Sequence, residues 1–146
     1  THTMPADHTI LILHLAVTAY MTGVILLVQL VHYPSFEWVD PKRYSEFQAM
    51  HERQITWVVG PAMLLEISLA AWIALSPPAA VDPLHAQLGL GLVVLIWLST
   101  AFLQVPQHSR LAKGFQRAPH RFLVNSNWVR TVAWSARLVV AVNMLR

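Results

Sequence analysis

The sequence predicts an all-α fold, an integral membrane bundle of four antiparallel transmembrane helices with a short amphipathic helix in the first cytoplasmic loop. Three observations predict it. The chain is 55% hydrophobic and only 12% charged, where a soluble domain carries about 25% charged residues. Its apolar residues fall into four runs, each near the roughly 20 residues needed to cross the hydrocarbon core of a bilayer. Proline and charge collect between those runs, and mean hydropathy is +0.48.

The 146 residues include no cysteine, which excludes disulfides, thiolate metal sites and iron–sulfur clusters held by Cys alone. A net charge of +3 does not indicate a nucleic-acid partner, because the basic residues sit in membrane-flanking loops. Eight histidines among so few polar residues are the compositional oddity. The chain reads as one transmembrane domain over 1–146. Thr1 to His8 lacks the basic start and clear cleavage site of a signal peptide, so the first apolar run reads as a retained span.

The first span covers about residues 9–31. His14, Thr18, Thr22, Gln29 and His32 recur at steps of three and four on one helical face, and a polar stripe on a lipid-embedded helix should face the bundle. Tyr33-Pro34 reads as its end. The following loop is mixed in charge, and Pro41 is placed to start a short helix through Gln54 with Phe47 and Met50 on one side. The second span covers about 55–75; it contains Pro61, a tolerated kink site, and Glu66, the one acidic residue within any span. After the turn-rich Ser76–Pro83 connection, the third span covers about 84–105 and the fourth about 125–145. Gly89 and Gly91 offer a close-packing face for a homo-oligomer. Pro106 sharpens the end of the third span.

Lys42, Arg43, Arg53, Arg110, Lys113, Arg117 and Arg121 all lie in the first and third loops. The other side has only Arg146, set against Asp7 and Asp82. The positive-inside rule then places those loops in the cytoplasm and both termini outside, as in a bacterial inner-membrane protein. Trp57 and Trp128 fit a cytoplasmic aromatic belt and Trp72 an outer one. The basic loop, with His120, suits anionic lipid headgroups.

Counting helical rise from the cytoplasmic ends gives depth. Glu66 and Arg137 both fall about 16 Å in, so equal depth and opposite charge predict an ion pair. That pair either neutralises two costly charges or takes part in substrate and proton handling. Arg130 lies about 6 Å deep, near Gln29 and Gln104, and finds no acid at its own depth. Trp97 and Trp134 fall between the layers, at about 12 Å. At the mouth, His32, His51 and His108 come together from three helix ends. Three imidazoles suit a transition metal such as Fe, Cu or Zn; His32 and His108 are also placed to bracket a haem b, with Arg130 on a propionate. The alternative is that all three are interfacial histidines. No HExxH or Glu-x-x-His pair supports a particular metal. His14 and His85 read either as a pair on the outer side or as ordinary interfacial residues there, and His2 and His8 as tail residues.

The segment Gln104-Val105-Pro106-x-His108, then Leu111 and Gly114, then Asn127-Trp128-x-Arg130 opening the last span, resembles the anthrone-oxygenase-like family of small four-helix membrane proteins. Gln104, Pro106, Asn127 and Arg130 match that family's pattern, and His32, His51 and His108 belong to no motif of it. The resemblance implies a four-helix membrane bundle and, for some members, O₂-dependent oxidation of a polycyclic phenol. Two functions are therefore expected. One is a metal- or haem-dependent oxidoreductase acting on a small hydrophobic phenol- or quinone-like substrate from the bilayer. In it His32, His51 and His108 hold the cofactor, Arg130, Gln104 and Gln29 orient the substrate oxygen, and Glu66 relays protons. The other is a non-enzymatic membrane subunit, or a carrier of a metal ion or small molecule.

Overall fold

A computed structural model describes residues 5–146, which leaves His2 outside it. It is all-α, with no strand among the described residues. Four helices make the fold. Helix α1 is α-helical over Pro5–Leu27, takes a π turn at Val28–His32, one α turn at Tyr33–Ser35 and a 3-10 turn at Phe36–Trp38. Helix α2 is Tyr44–Leu75. Helix α3 is α-helical over Pro83–Ser99, takes a π turn at Thr100–Gln104 and is α-helical again over Val105–Leu111. Helix α4 is Arg117–Asn143.

Neither proline expected to end a helix does so. Proline has no N–H and its ring collides with the carbonyl four residues back. Before both Pro34 and Pro106 the chain widens into a π turn, closed by Tyr33 N–H donating to the Val28 carbonyl and Val105 N–H donating to the Thr100 carbonyl. The helix survives with its register shifted. Such π turns are frequent at functional sites, and these two carry Gln29 and His32 on α1 and Thr100 and Gln104 on α3.

The separate helix expected in the first loop is instead the first part of α2, which runs unbroken past Pro61. The basic loop is also mostly helical. Its α3 and α4 ends are joined by a short turn in which Gly114 takes φ +129°, a backbone region that glycine enters without steric cost. Asp82 starts α3 by accepting a hydrogen bond from Leu84 N–H at 2.8 Å, with Pro83 in the first turn, a standard start for a helix.

Helices α1 and α3 each pack against both α2 and α4, so α2 and α4 face each other across the bundle's diagonal. A main apolar core of Met21, Ile25, Met63, Ile96, Leu123 and Trp134 fills one part, and Leu11, Ile73, Ala74, Val81 and Met144 fill the end near the α2–α3 turn. The outside is apolar too: Leu30, Trp57, Leu64, Phe102, Val132 and Val139 are each more than half exposed. Three helices, α1, α2 and α3, are long and apolar enough to cross a membrane. The expected fourth span, α4, is not among those three; it carries Arg121, Arg130 and Arg137, and Arg130 and Arg137 are buried.

Gly89 serves an internal contact. It is buried, its carbonyl accepts from Arg137 Nη1, and a Cβ there would meet Met144 and Arg137 of α4. Gly91 faces open space.

Candidate functional site

The polar residues of the interior form two clusters. The first lies deep, on the α2–α4 diagonal. Arg137 Nε donates to Glu66 Oε2 at 3.4 Å, and Trp134 Nε1 donates to both carboxylate oxygens at 2.9 and 3.1 Å. The remaining guanidinium nitrogens reach the Gly89 carbonyl, His14 Nε2 at 3.0 Å and Thr18 Oγ1 at 3.5 Å. The expected ion pair is therefore present. His14 is not an interfacial residue: it is buried and supplies Arg137 with an acceptor. Trp134 is a hydrogen-bond donor inside the core.

The second cluster lies where the two π turns meet α2 and α4. Arg130 is 7% exposed. Its Nε and Nη2 both donate to Asn127 Oδ1, at 2.9 and 2.6 Å, Nη1 donates to Thr100 Oγ1 at 3.2 Å and Nη2 donates to the Tyr33 hydroxyl at 3.1 Å. None of these partners is a carboxylate, so the arginine keeps its net charge. Asn127 is held in turn, since its Nδ2 donates to Gln29 Oε1 at 2.9 Å. Gln29 also donates to the Val124 carbonyl and accepts from Thr131, so it positions Arg130 through Asn127 without touching it. Gln104 likewise makes no hydrogen bond to Arg130, though both line the same cavity. It accepts from Ser99 and donates to Ser126, pinning α3 to α4.

His32, His51 and His108 do come together. His32 Nε2 and His51 Nδ1 are 2.8 Å apart, and the His51 and His108 rings stack at 5.2 Å. His108 Nε2 lies 3.0 Å from the Tyr33 hydroxyl and its Nδ1 lies 2.8 Å from Gln48 Nε2. The amide orientation of Gln48 fixes the tautomer of His108. Gln48 Oε1 accepts from the Tyr44 hydroxyl and Nε2 donates to Glu52, which leaves an N–H for His108 Nδ1 to accept. The proton of His108 is then on Nε2, and it is donated to the Tyr33 oxygen. That oxygen accepts from both Arg130 and His108, so its own proton is free to go to a third partner.

The donor set fits a metal poorly as it stands. Among the described residues no group of three or more His, Asp or Glu is arranged to hold a metal ion. Four of the six imidazole nitrogens are turned to each other, to Tyr33 or to Gln48. A haem bracketed by His32 and His108 would have to enter where Tyr33 and Phe36 pack against both rings, at centroid distances of 5.2 to 6.5 Å.

A cavity of about 280 Å³ borders this cluster. Tyr33, His51, His108 and Arg130 supply its polar wall, and Ile55, Val59 and Val105 an apolar one. Thr56, Val105 and Ser109 on its rim are exposed, so it opens between α2 and α3. His51 Nε2 is buried with no hydrogen-bond partner. An unpaired buried imidazole nitrogen costs about 1–3 kcal/mol, which an incoming ligand could recover.

Glu66 belongs to the deep cluster and not to this one. His120, expected in the lipid-facing basic loop, is 5% exposed and its Nε2 lies 2.7 Å from the Tyr33 carbonyl. Tyr33 and Gln48 hold places in this cluster that the sequence does not mark. Tyr33 belongs to the Tyr-Pro pair expected to end the first helix, and Gln48 falls three residues before His51 with nothing in its spacing to distinguish it.

Comparison of the chain with known protein families, with characterised proteins and with solved structures finds no match.

Proposed function

We propose that this is an inner-membrane protein of four antiparallel spans that acts on a small, largely apolar molecule bearing a phenol- or quinone-type oxygen. The observation that carries this reading is the convergence on Tyr33. A buried, acid-free Arg130 and the Nε2–H of His108 both donate to its oxygen, at the wall of a cavity open between two apolar helices. A ligand oxygen beside Tyr33 meets a hydroxyl proton and a fixed positive charge, with the His51 ring in the same wall. Preorganised donors of this kind stabilise negative charge that develops on oxygen. The cavity's size suits a molecule of one or two rings, and its lateral opening suits entry from the bilayer.

The reaction class is oxidoreductase. Oxidation of a phenol or hydroquinone releases the O–H proton to a base and electrons to an oxidant. The resemblance carried by Gln104, Pro106, Asn127 and Arg130 implies dioxygen as that oxidant. Here the protein's own part is binding, orientation and proton transfer. Loops rich in Lys and Arg between the first and second and the third and fourth helices support the assignment of the site to the cytoplasmic side.

The test is binding of 2-naphthol to purified protein in detergent, followed by its fluorescence, together with elemental analysis and an absorption spectrum. Saturable binding that Arg130→Met weakens at least about tenfold supports the reading. No binding overturns it. Stoichiometric Fe, Cu or Zn, or a Soret band, lost on His108→Ala, would replace it with a cofactor held by His32, His51 and His108.

A further inference from the structure

We infer that His51 and His32 form a two-imidazole proton relay that connects the cavity to the bundle's outer surface. This rests on the reading of the cavity as a site for a phenol- or quinone-type oxygen. His51 is 3% exposed and lines the cavity. Its Nδ1 is engaged with His32 Nε2 at 2.8 Å, and its Nε2 is the buried nitrogen left unpaired. His32 is half-buried, and its Nδ1 is not among the side-chain atoms that are both sealed and unpaired. The pair thus spans the distance from an enclosed nitrogen to a side chain at the surface.

The protons balance. In one tautomer pair His51 carries its proton on Nδ1, donated to His32 Nε2, and His51 Nε2 is a bare lone pair. A ligand O–H then gives its proton to His51 Nε2. The Nδ1 proton of His51 passes to His32 Nε2, and the Nδ1 proton of His32 leaves to water. Both rings end neutral with their tautomers exchanged. The reverse sequence delivers a proton from outside to a ligand oxygen. No oxidant or reductant enters, because only protons move.

The neighbouring route is closed. His108 also borders the cavity, but its Nδ1 accepts from the amide of Gln48, and Gln48 leads on to Glu52. A primary amide donates and accepts hydrogen bonds but does not hold an extra proton. His108 therefore fixes Tyr33, while His51 passes protons. Phe36 holds the relay in shape, edge-on to both rings at 5.2 and 5.0 Å.

Two measurements on the full chain test this. The first needs no ligand: NMR of protein labelled with ring-¹⁵N histidine gives the exchange rate of the His51 ring proton with water. Wild type exchanges several-fold faster than His32→Phe, and added free imidazole restores the rate in that variant. Equal rates in the two proteins overturn the relay. The second uses 2-naphthol as a photoacid. On excitation the bound wild type emits from naphtholate, His51→Gln emits from neutral naphthol, and His32→Phe forms naphtholate promptly but loses most of it to proton return. Naphtholate yield and decay unchanged by His32→Phe also overturn the relay. Failure of 2-naphthol to bind overturns the ligand class proposed above, and the exchange rates then decide the relay alone.

Discussion

Arg137 Nε lies 3.4 Å from Glu66 Oε2, with both side chains wholly withdrawn from solvent. The pair crosses the diagonal between α4 and α2, two helices that otherwise meet little. Its geometry is that of a network rather than an isolated bridge. Trp134 shares the carboxylate, and the Gly89 carbonyl, His14 and Thr18 share the guanidinium. Buried pairs are held in this way because desolvation is repaid only when the remaining donors and acceptors also find partners.

Breaking the pair from one side should therefore cost more than removing it whole. Arg137→Met leaves a buried carboxylate without its counter-charge, and a loss of about 3–5 kcal/mol is expected. Glu66→Gln is milder, because the amide oxygen still accepts from Trp134 and Arg137. The double variant Glu66→Leu with Arg137→Met should recover much of the loss. Thermal unfolding of the four proteins in one detergent checks this, and strictly additive losses would show that the two charges act separately.

The two glycines of α3 should respond in opposite ways. A Cβ at Gly89 would lie 3.4 Å from Met144 Cε and 3.6 Å from Arg137 Nη1. Alanine fits if Met144 yields slightly, but Gly89→Leu drives bulk against the guanidinium and should cost about 1–3 kcal/mol. Gly91 has nothing within 4 Å, and Gly91→Leu should change stability by no more than about 0.5 kcal/mol. The same unfolding assay reads both. A large loss at Gly91, with a shift in oligomeric state, would instead mark an interface between copies.

Depth and periodicity were legible because they follow from helical rise alone. Equal depth paired Glu66 with Arg137, and of the stripe His14, Thr18, Thr22, Gln29 and His32 the first four are buried and His32 is half-buried. The same stripe contradicts the reading of His14 as interfacial, since a residue in register with three buried ones shares their face. The prolines misled for a physical reason. Pro34 and Pro106 cannot continue an α-helix in register, but a π turn before each changes the register, and no local sequence signal announces that choice. Gln48 and Tyr44 were hidden because the helix expected to stand apart is the first part of α2, which brings Gln48 against His108 and Tyr44 against Gln48.

Tyr33→Phe separates the two duties of the mouth cluster. Arg130 keeps Asn127 and Thr100, so the fold should lose only about 1 kcal/mol, the worth of one or two hydrogen bonds. The ligand, however, loses the hydroxyl proton aimed at it, and 2-naphthol affinity should fall about tenfold or more. Titration beside a melting curve distinguishes the two effects. Parallel losses of similar size would make Tyr33 a packing residue only.

The absence of cysteine gives a direct test of sidedness. A single introduced cysteine is the sole thiol in the chain, so labelling reports one position. Lys113 in the α3–α4 turn and Ala80 in the α2–α3 turn are both exposed. With Lys42, Arg43, Arg110, Lys113, Arg117 and Arg121 on one side, the positive-inside rule puts Lys113 in the cytoplasm and Ala80 outside. In intact cells an impermeant maleimide should then label Ala80→Cys and spare Lys113→Cys, and lysis should make both reactive. The reverse pattern would place the His51–His32 relay on the outer face, so that a proton taken from the ligand would leave away from the cytoplasm. Labelling of both before lysis would mean that the bundle does not cross the membrane.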